Sequence, residues 1–305
     1  MSHSLVSPDT APAARLVGRG GEGGREEAFF FGPGGERMLG LLHLPAGPAA
    51  GAVLILSPIE AELLKNYPRE VELARGLAAR GMAVLRFHYR GAGNSDGASA
   101  RLTLDSMIED GRAAAEILRE TRGNPRVGFL GTRLGALAAA GLAREAGGAP
   151  LAFWEPVLDG ERYFRELLRY RLMYELKEWT ADRPRPSTEG LFAELREQGH
   201  VELFGMVLHR ALHESLEGRP LEETLGDRTS PVLLVQMGGA AALRPELGRF
   251  VERLGARGVP VDDARVGGDI AWWFDMDEAA DPDLIRATRE WFLRQLAAPD
   301  EDPSR

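Results

Sequence analysis

Val127-Gly-Phe-Leu-Gly131-Thr132-Arg133-Leu134-Gly135-Ala136 reads as a strand that turns abruptly into a helix. Arg126 to Leu130 is an apolar run of buried-strand type, and Leu134 to Glu145 is a helical pattern of small residues. Between them the spacing is G-x-x-x-G. A turn this tight is strained, and its glycines let the helix pack closely on the strand. The central residue, Arg133, is thereby held at the mouth of a sheet.

The flanking sequence supplies that sheet. Glu27 to Phe31 and Arg37 to Leu44 predict two strands joined by the turn Gly32-Pro33-Gly34-Gly35. Gly51 to Ser57 and Met82 to Phe87 are runs of buried-strand type. Pro68 to Arg80 carries Val71, Ala74, Leu77 and Ala78 at helical spacing, and Pro68 suits a first helical turn. Thr103 to Thr121 predicts a helix and Pro150 to Trp154 a strand. From Asp159 to Arg228 the alternation stops. Helical stretches, Arg162 to Glu178 and Gly190 to Glu217, flank the linker Arg183-Pro-Arg-Pro-Ser187. Strand and helix then resume with Pro231 to Gln236, Pro245 to Arg257, Val259 to Val266 and Pro282 to Leu296. Such alternation implies a mostly parallel sheet with helices on both faces. The expected layout is a mobile tail over 1–25, a core over 26–158 and 229–297, a helical lid insertion over 159–228, and a frayed end over 298–305.

Composition narrows the function classes. Of 305 residues, 44% are hydrophobic and 27% charged, an ordinary globular balance. The net charge of −9 disfavours nucleic acid and anionic lipid as partners. No cysteine is present, which excludes disulfides, thiol nucleophiles and cysteine metal sites. No uncharged apolar run approaches the ~18 residues of a membrane span, and residues 1–25 lack a signal-peptide core. The expected location is cytoplasmic. No H-E-x-x-H, clustered His/Asp spacing or phosphate-binding loop suggests a metal or cofactor.

Phe87-His88-Tyr89-Arg90-Gly91-Ala92-Gly93-Asn94-Ser95-Asp96-Gly97 resembles the D-x-R-G-x-G-x-S loop after the fourth strand of α/β-hydrolases. With the strand–turn–helix at 127–136 laid out as a nucleophile elbow, the expected fold is that of an α/β-hydrolase. The elbow of such an enzyme carries Ser, Cys or Asp. Here Thr132 and Leu134 flank Arg133, whose guanidinium has no lone pair and stays protonated. The acid should follow Pro231 to Gln236, but no carboxylate occurs there until Glu246; Glu155 or Asp159 could stand in. The histidine should follow Val266, where Gly-Gly-Asp269-Ile-Ala-Trp272-Trp273 contains none. The last histidine in the chain is His213. Ser95 belongs to a loop that shapes the site wall, and His88 fits a loop-ordering role.

Several segments resemble the proteins called exosortase A system-associated hydrolase 2, distant relatives of serine aminopeptidase-like hydrolases. They are Pro58-Ile-Glu-Ala-Glu62-Leu-Leu-Lys65-Asn66 with Arg69, Leu130 to Ala136, Trp154 to Gly160 with Phe164 to Arg171, and Ala271 to Phe274 with Pro282 to Ile285 and Trp291. The resemblance implies that Arg133 is a feature of the group, and it implies a link to bacterial exopolysaccharide and protein-sorting loci.

Three functions are therefore expected in turn. One is a non-catalytic protein that binds a small molecule or a partner under its lid. A second is an ester or thioester hydrolase with relocated groups, for which Ser57, Glu62, Asp269 and His88 are available. A third is a structural partner in a complex. Trp272 and Trp273 are candidates for the pocket wall. Arg162, Arg165, Arg169 and Arg171 interleave with glutamates, as on a solvated helix face. A guanidinium withdrawn from water needs a partner, or its desolvation costs several kcal/mol. Glu62 is the expected partner of Arg133, with Glu155 as second choice.

Overall fold

Gly51–Leu56 is buried at every position because both of its faces are covered. Ala52, Leu54 and Leu56 join one hydrophobic core, and Val53 and Ile55 join the other. The same alternation recurs along the neighbouring strands, so one sheet separates two layers of helices. A computed structural model describes residues 16–19, 24–32, 35–121, 123, 125–182, 184–203, 205–227, 230–267 and 281–296.

Among the described residues the sheet has nine strands, in the order β1-β2-β3-β5-β4-β6-β7-β10-β11. β1 (Leu16–Arg19), β2 (Arg25–Phe31) and β3 (Met38–Leu44) form an antiparallel edge that joins β5 (Met82–Phe87). From β5 onward the pairs through β4 (Gly51–Leu56), β6 (Val127–Thr132), β7 (Leu151–Trp154), β10 (Val232–Met237) and β11 (Val261–Val266) are parallel. Helices α1 (Glu60–Ala78) and α9 (Pro282–Leu296) supply buried residues to one core. Helices α2 (Leu104–Arg119), α3 (Gly135–Glu145) and α8 (Pro245–Ala256) supply the other. After β4 the chain runs outward to β5 and then returns to lay β6 on the opposite side of β4. Open parallel sheets form their sites at such a reversal, beyond the carboxyl ends of the strands.

Between β7 and β10 come α4 (Gly160–Lys177), α5 (Thr188–Gln198), β8 (His200–Leu203), β9 (Met206–His209), α6 (Arg210–Leu216) and α7 (Leu221–Leu225). Among the described residues no strand of this insertion enters the main sheet, and β8 pairs with β9 in a separate two-stranded sheet. The two ends of the insertion meet where the Leu221 N–H donates to the Leu158 carbonyl at 2.9 Å.

Three expectations need correction. A mobile tail is expected through residue 25, but Leu16–Arg19 forms a strand that pairs with residues 25–28. α1 starts at Glu60, so Pro68 lies inside a helix and not in its first turn. Proline there removes one backbone bond, a loss that burial of Leu73, Ala74 and Leu77 against the sheet offsets. The helix expected over Gly190 to Glu217 is interrupted by β8 and β9. Gly199, at φ 78°, ends α5, and the chain then alternates buried and exposed side chains as a strand does.

Candidate functional site

Arg133 leaves β6 with φ of 49°, a left-handed backbone that costs a side-chain-bearing residue about 1–2 kcal/mol. Backbone bonds hold it there. The Arg133 N–H donates to the Trp154 carbonyl at 3.0 Å, and the Arg133 carbonyl accepts from Ala136 and Val157, each at 3.1 Å. The glycines do what the motif requires. A Cβ on Gly135 would lie 2.1 Å from the Leu56 carbonyl oxygen, and one on Gly131 would lie 2.5 Å from the Ala136 Cα. Glu155 at the end of β7 is also left-handed, with φ of 45°.

The Arg133 side chain is 6% exposed. Its Nε donates to Glu62 Oε1 at 3.0 Å, and its Nη2 donates to Glu166 Oε1 at 3.2 Å. The expected Glu62–Arg133 pair is therefore present, with Glu62 in the first turn of α1. α4 contributes two more groups that sequence reasoning did not assign to the site. Tyr163 donates its hydroxyl to Glu62 Oε2 at 3.0 Å, and its ring centre lies 5.6 Å from the guanidinium carbon. Glu166 supplies the second carboxylate.

Burial pushes the Glu62 carboxyl up, against the opposing pull of Arg133 and Tyr163. Both of its oxygens accept from donors, and the adjacent guanidinium favours its ionised form. Burial also works against the charge of Arg133, but Glu62 and Glu166 outweigh it and hold the guanidinium protonated. Burial raises the Tyr163 hydroxyl well above its ordinary range, with Glu62 adding to the effect.

Glu155, the second choice, is engaged elsewhere. Its Oε1 accepts from the Met237 N–H at 2.5 Å, and Arg244 pairs with its other oxygen. Its carboxyl is raised by burial in spite of Arg244. Glu155 thus ties the end of β7 to the end of β10. Arg133, Glu155, Tyr163, Glu166, Tyr170 and Arg244 share a cleft of about 330 Å³, which Val157, Leu158 and Leu247 line with apolar surface.

Of the groups named for a relocated catalytic set, Ser57, Glu62 and His88 occupy separate networks. Ser57 donates to Glu70 Oε2 at 2.8 Å, and Asn66 donates to Glu70 Oε1 at 2.6 Å. His88 Nδ1 accepts from the Asn94 N–H at 3.1 Å, which orders the loop as expected. Ser95 bridges the His88 carbonyl, at 2.6 Å, and the Leu39 N–H, at 3.0 Å. Thr132 and Leu134 are buried beside Arg133. Asp269, Trp272 and Trp273 lie outside the described residues. Arg165 and Arg171 of α4 pair with carboxylates, as on a solvated face: Arg165 with Glu161 at 2.7 Å, and Arg171 with Glu175 at 2.7 Å and Glu194 at 3.0 Å. Among the described residues no group of three or more His, Asp or Glu side chains is placed to hold a metal ion. No helix among them is long and apolar enough to cross a membrane.

Glu70 gives a pH signature. Burial pushes its carboxyl up to about 7, against pulls from Arg86, Ser57 and Asn66. Unfolded, it titrates near 4.5. Folding is therefore opposed by this group as pH rises from about 4.5 to above 7, by an amount on the order of a few kcal/mol. In urea denaturation the stability of wild type minus that of Glu70→Gln is expected to fall between pH 4 and pH 8. A flat or rising difference would refute the assignment.

The sheet order, the reversal at β4 and β6, and the elbow at that point define the α/β-hydrolase fold. Residues 63–193 match the Hydrolase_4 family model, described as Serine aminopeptidase, S33. Among solved structures the chain is similar to Est1E from Butyrivibrio proteoclasticus with ferulic acid bound. That similarity has a TM-score of 0.61 and 16% identity, over 88% of this chain and 99% of that one. It is also similar to the Pyrococcus furiosus esterase PF2001, with a TM-score of 0.59 and 15% identity over 95% and 100% of the two chains. An alpha-beta hydrolase from Vibrio vulnificus is similar at a TM-score of 0.52 and 16% identity, over 90% and 80%. At these identities the likeness is one of fold. No curated protein matches the chain.

Proposed function

We propose that this chain is a non-catalytic protein of α/β-hydrolase fold that binds a small molecule in the cleft beneath α4, which serves as its lid. The observation that carries this reading is Arg133 at the elbow, buried and bonded to Glu62 and Glu166. A protonated guanidinium cannot attack a carbonyl, and its two carboxylate bonds favour a fixed role at the elbow. The sequence has no histidine beyond His213 to serve as a base after β11. Nucleophile, base and acid are thus all replaced at the positions where the fold supplies them. The resemblance to exosortase A system-associated hydrolase 2 supports a role linked to exopolysaccharide or protein-sorting loci. A protein partner at the same cleft is the second occupant that the reading admits.

The test compares p-nitrophenyl ester turnover by wild type, Arg133→Ser and Arg133→Ala. All three are expected near background, because a serine hydroxyl needs an adjacent base. Traces of activity in Arg133→Ser are compatible with backbone donors of the turn. Robust wild-type turnover that Arg133→Ala abolishes would overturn the proposal. Efficient turnover by Arg133→Ser would show that a base is in place.

A further inference from the structure

The two carboxylates on Arg133 are held unequally. The Glu62 side chain is 3% exposed and receives Arg133 on one oxygen and Tyr163 on the other. The Glu166 side chain is 36% exposed and reaches Nη2 through a bond of 3.2 Å. Glu62 suffices to balance the guanidinium, so Glu166 is a surplus negative charge. Glu166 and Arg133 both line the cleft. A rotation of the Glu166 side chain toward solvent would turn the Nη2 position toward the cleft without moving α4.

We infer that the cleft receives a small organic monocarboxylate on Arg133, and that Glu166 occupies the same position as an internal stand-in. This deepens the reading of the site as a non-catalytic binding cleft and rests on it. A planar guanidinium recognises carboxylates through paired N–H donors. The ligand's carboxylate would take over the bond that Glu166 makes. Its body would lie along Val157, Leu158, Leu247 and the ring of Tyr170. About 330 Å³ is at the small end of ligand sites, which suits a compact acid. The other cleft arginines are already paired, Arg244 with the buried Glu155 and Arg162 with Glu246 at 3.7 Å. The cleft therefore offers one exchangeable anion position. A phosphate would bring more charge toward Glu62, Glu155 and Glu166, which disfavours it.

The test is calorimetric titration of the full chain with benzoate and hexanoate as probes, benzamide as the neutral control, and inorganic phosphate. Glu166→Gln is expected to bind benzoate at least about tenfold more tightly than wild type, a difference of about 1.4 kcal/mol. Benzamide should bind both proteins weakly. Arg133→Lys keeps the charge but loses the fork, and should weaken benzoate several-fold. The charge-balanced Glu62→Gln/Arg133→Gln variant, if folded by circular dichroism, should not bind it. The inference is overturned if Glu166→Gln gains no affinity, if benzamide or phosphate matches benzoate, or if neither protein binds a carboxylate. Ester turnover by wild type would refute the non-catalytic reading whatever benzoate does. Absence of both turnover and binding would remove this inference alone.

Discussion

Glu62→Leu is expected to destabilise the protein by about 3 kcal/mol or more, among the larger effects of any single side-chain change in the chain. The residue is 2% exposed, and it is the better-held of the two carboxylates on Arg133. Removing one member of a buried ion pair typically costs about 3–5 kcal/mol, because the remaining charge stays desolvated. Glu166 retains its bond, which places the expectation at the lower end. Tyr163 loses its acceptor as well. The measurement is a double-mutant cycle by urea denaturation with Glu62→Leu, Arg133→Gln and the double variant. The double variant, neutral at both positions, should be less damaged than the two single losses added together. A single-variant loss below about 1 kcal/mol, as for exposed ion pairs, would show that Arg133 does not depend on Glu62.

Gly135→Ala should be still more damaging, with little or no folded protein recovered. Its added carbon would sit 2.1 Å from the Leu56 carbonyl oxygen and 2.6 Å from that of Ser57. Both are backbone atoms at the end of β4, in the middle of the sheet, and cannot move aside as a side chain can. α3 would have to lift off the sheet, together with Ala136, Ala139 and Ala140, all of which are fully buried. Gly248→Ala in α8 is the matched control, since nothing lies within 4 Å of its added carbon. Alanine there should stabilise the protein by up to about 1 kcal/mol, through helix propensity alone. Comparable thermal stability of the two variants would refute the steric account.

The central strands were legible because burial on both faces leaves continuous apolar runs such as Gly51–Leu56 and residues 232–235. The elbow was legible because its glycines are a steric necessity, visible as spacing whatever residue stands between them. Glu62 could be matched to Arg133 because topology brings the ends of β4 and β6 together at the reversal. Tyr163 and Glu166 were not found. Their signal was present, since 163, 166 and 170 follow helical spacing and fall on one stripe of α4. The interleaved arginines and glutamates of that helix hid it. The hairpin of β8 and β9 was missed because short strands lack the length to outweigh helix-forming neighbours. The start of α1 was misplaced because Pro68 reads as a first-turn residue, and only tertiary packing explains it inside a helix.

The closure between Leu158 and Leu221 bears on how the chain assembles. β7 and β10 are neighbours in the sheet, Leu151 opposite Val232, yet the whole insertion separates them in sequence. Bringing such distant strands together from an unfolded chain carries a loop-closure entropy that grows with the length of the loop. Most contacts within the insertion are local, as in α5 with β8 and β8 with β9. A segment of that kind can order before the sheet does. Once it has ordered, the chain re-emerges at Leu221 beside the point where it departed at Leu158. β10 then searches for β7 from a short tether, and the insertion shortens the path to the sheet that it interrupts.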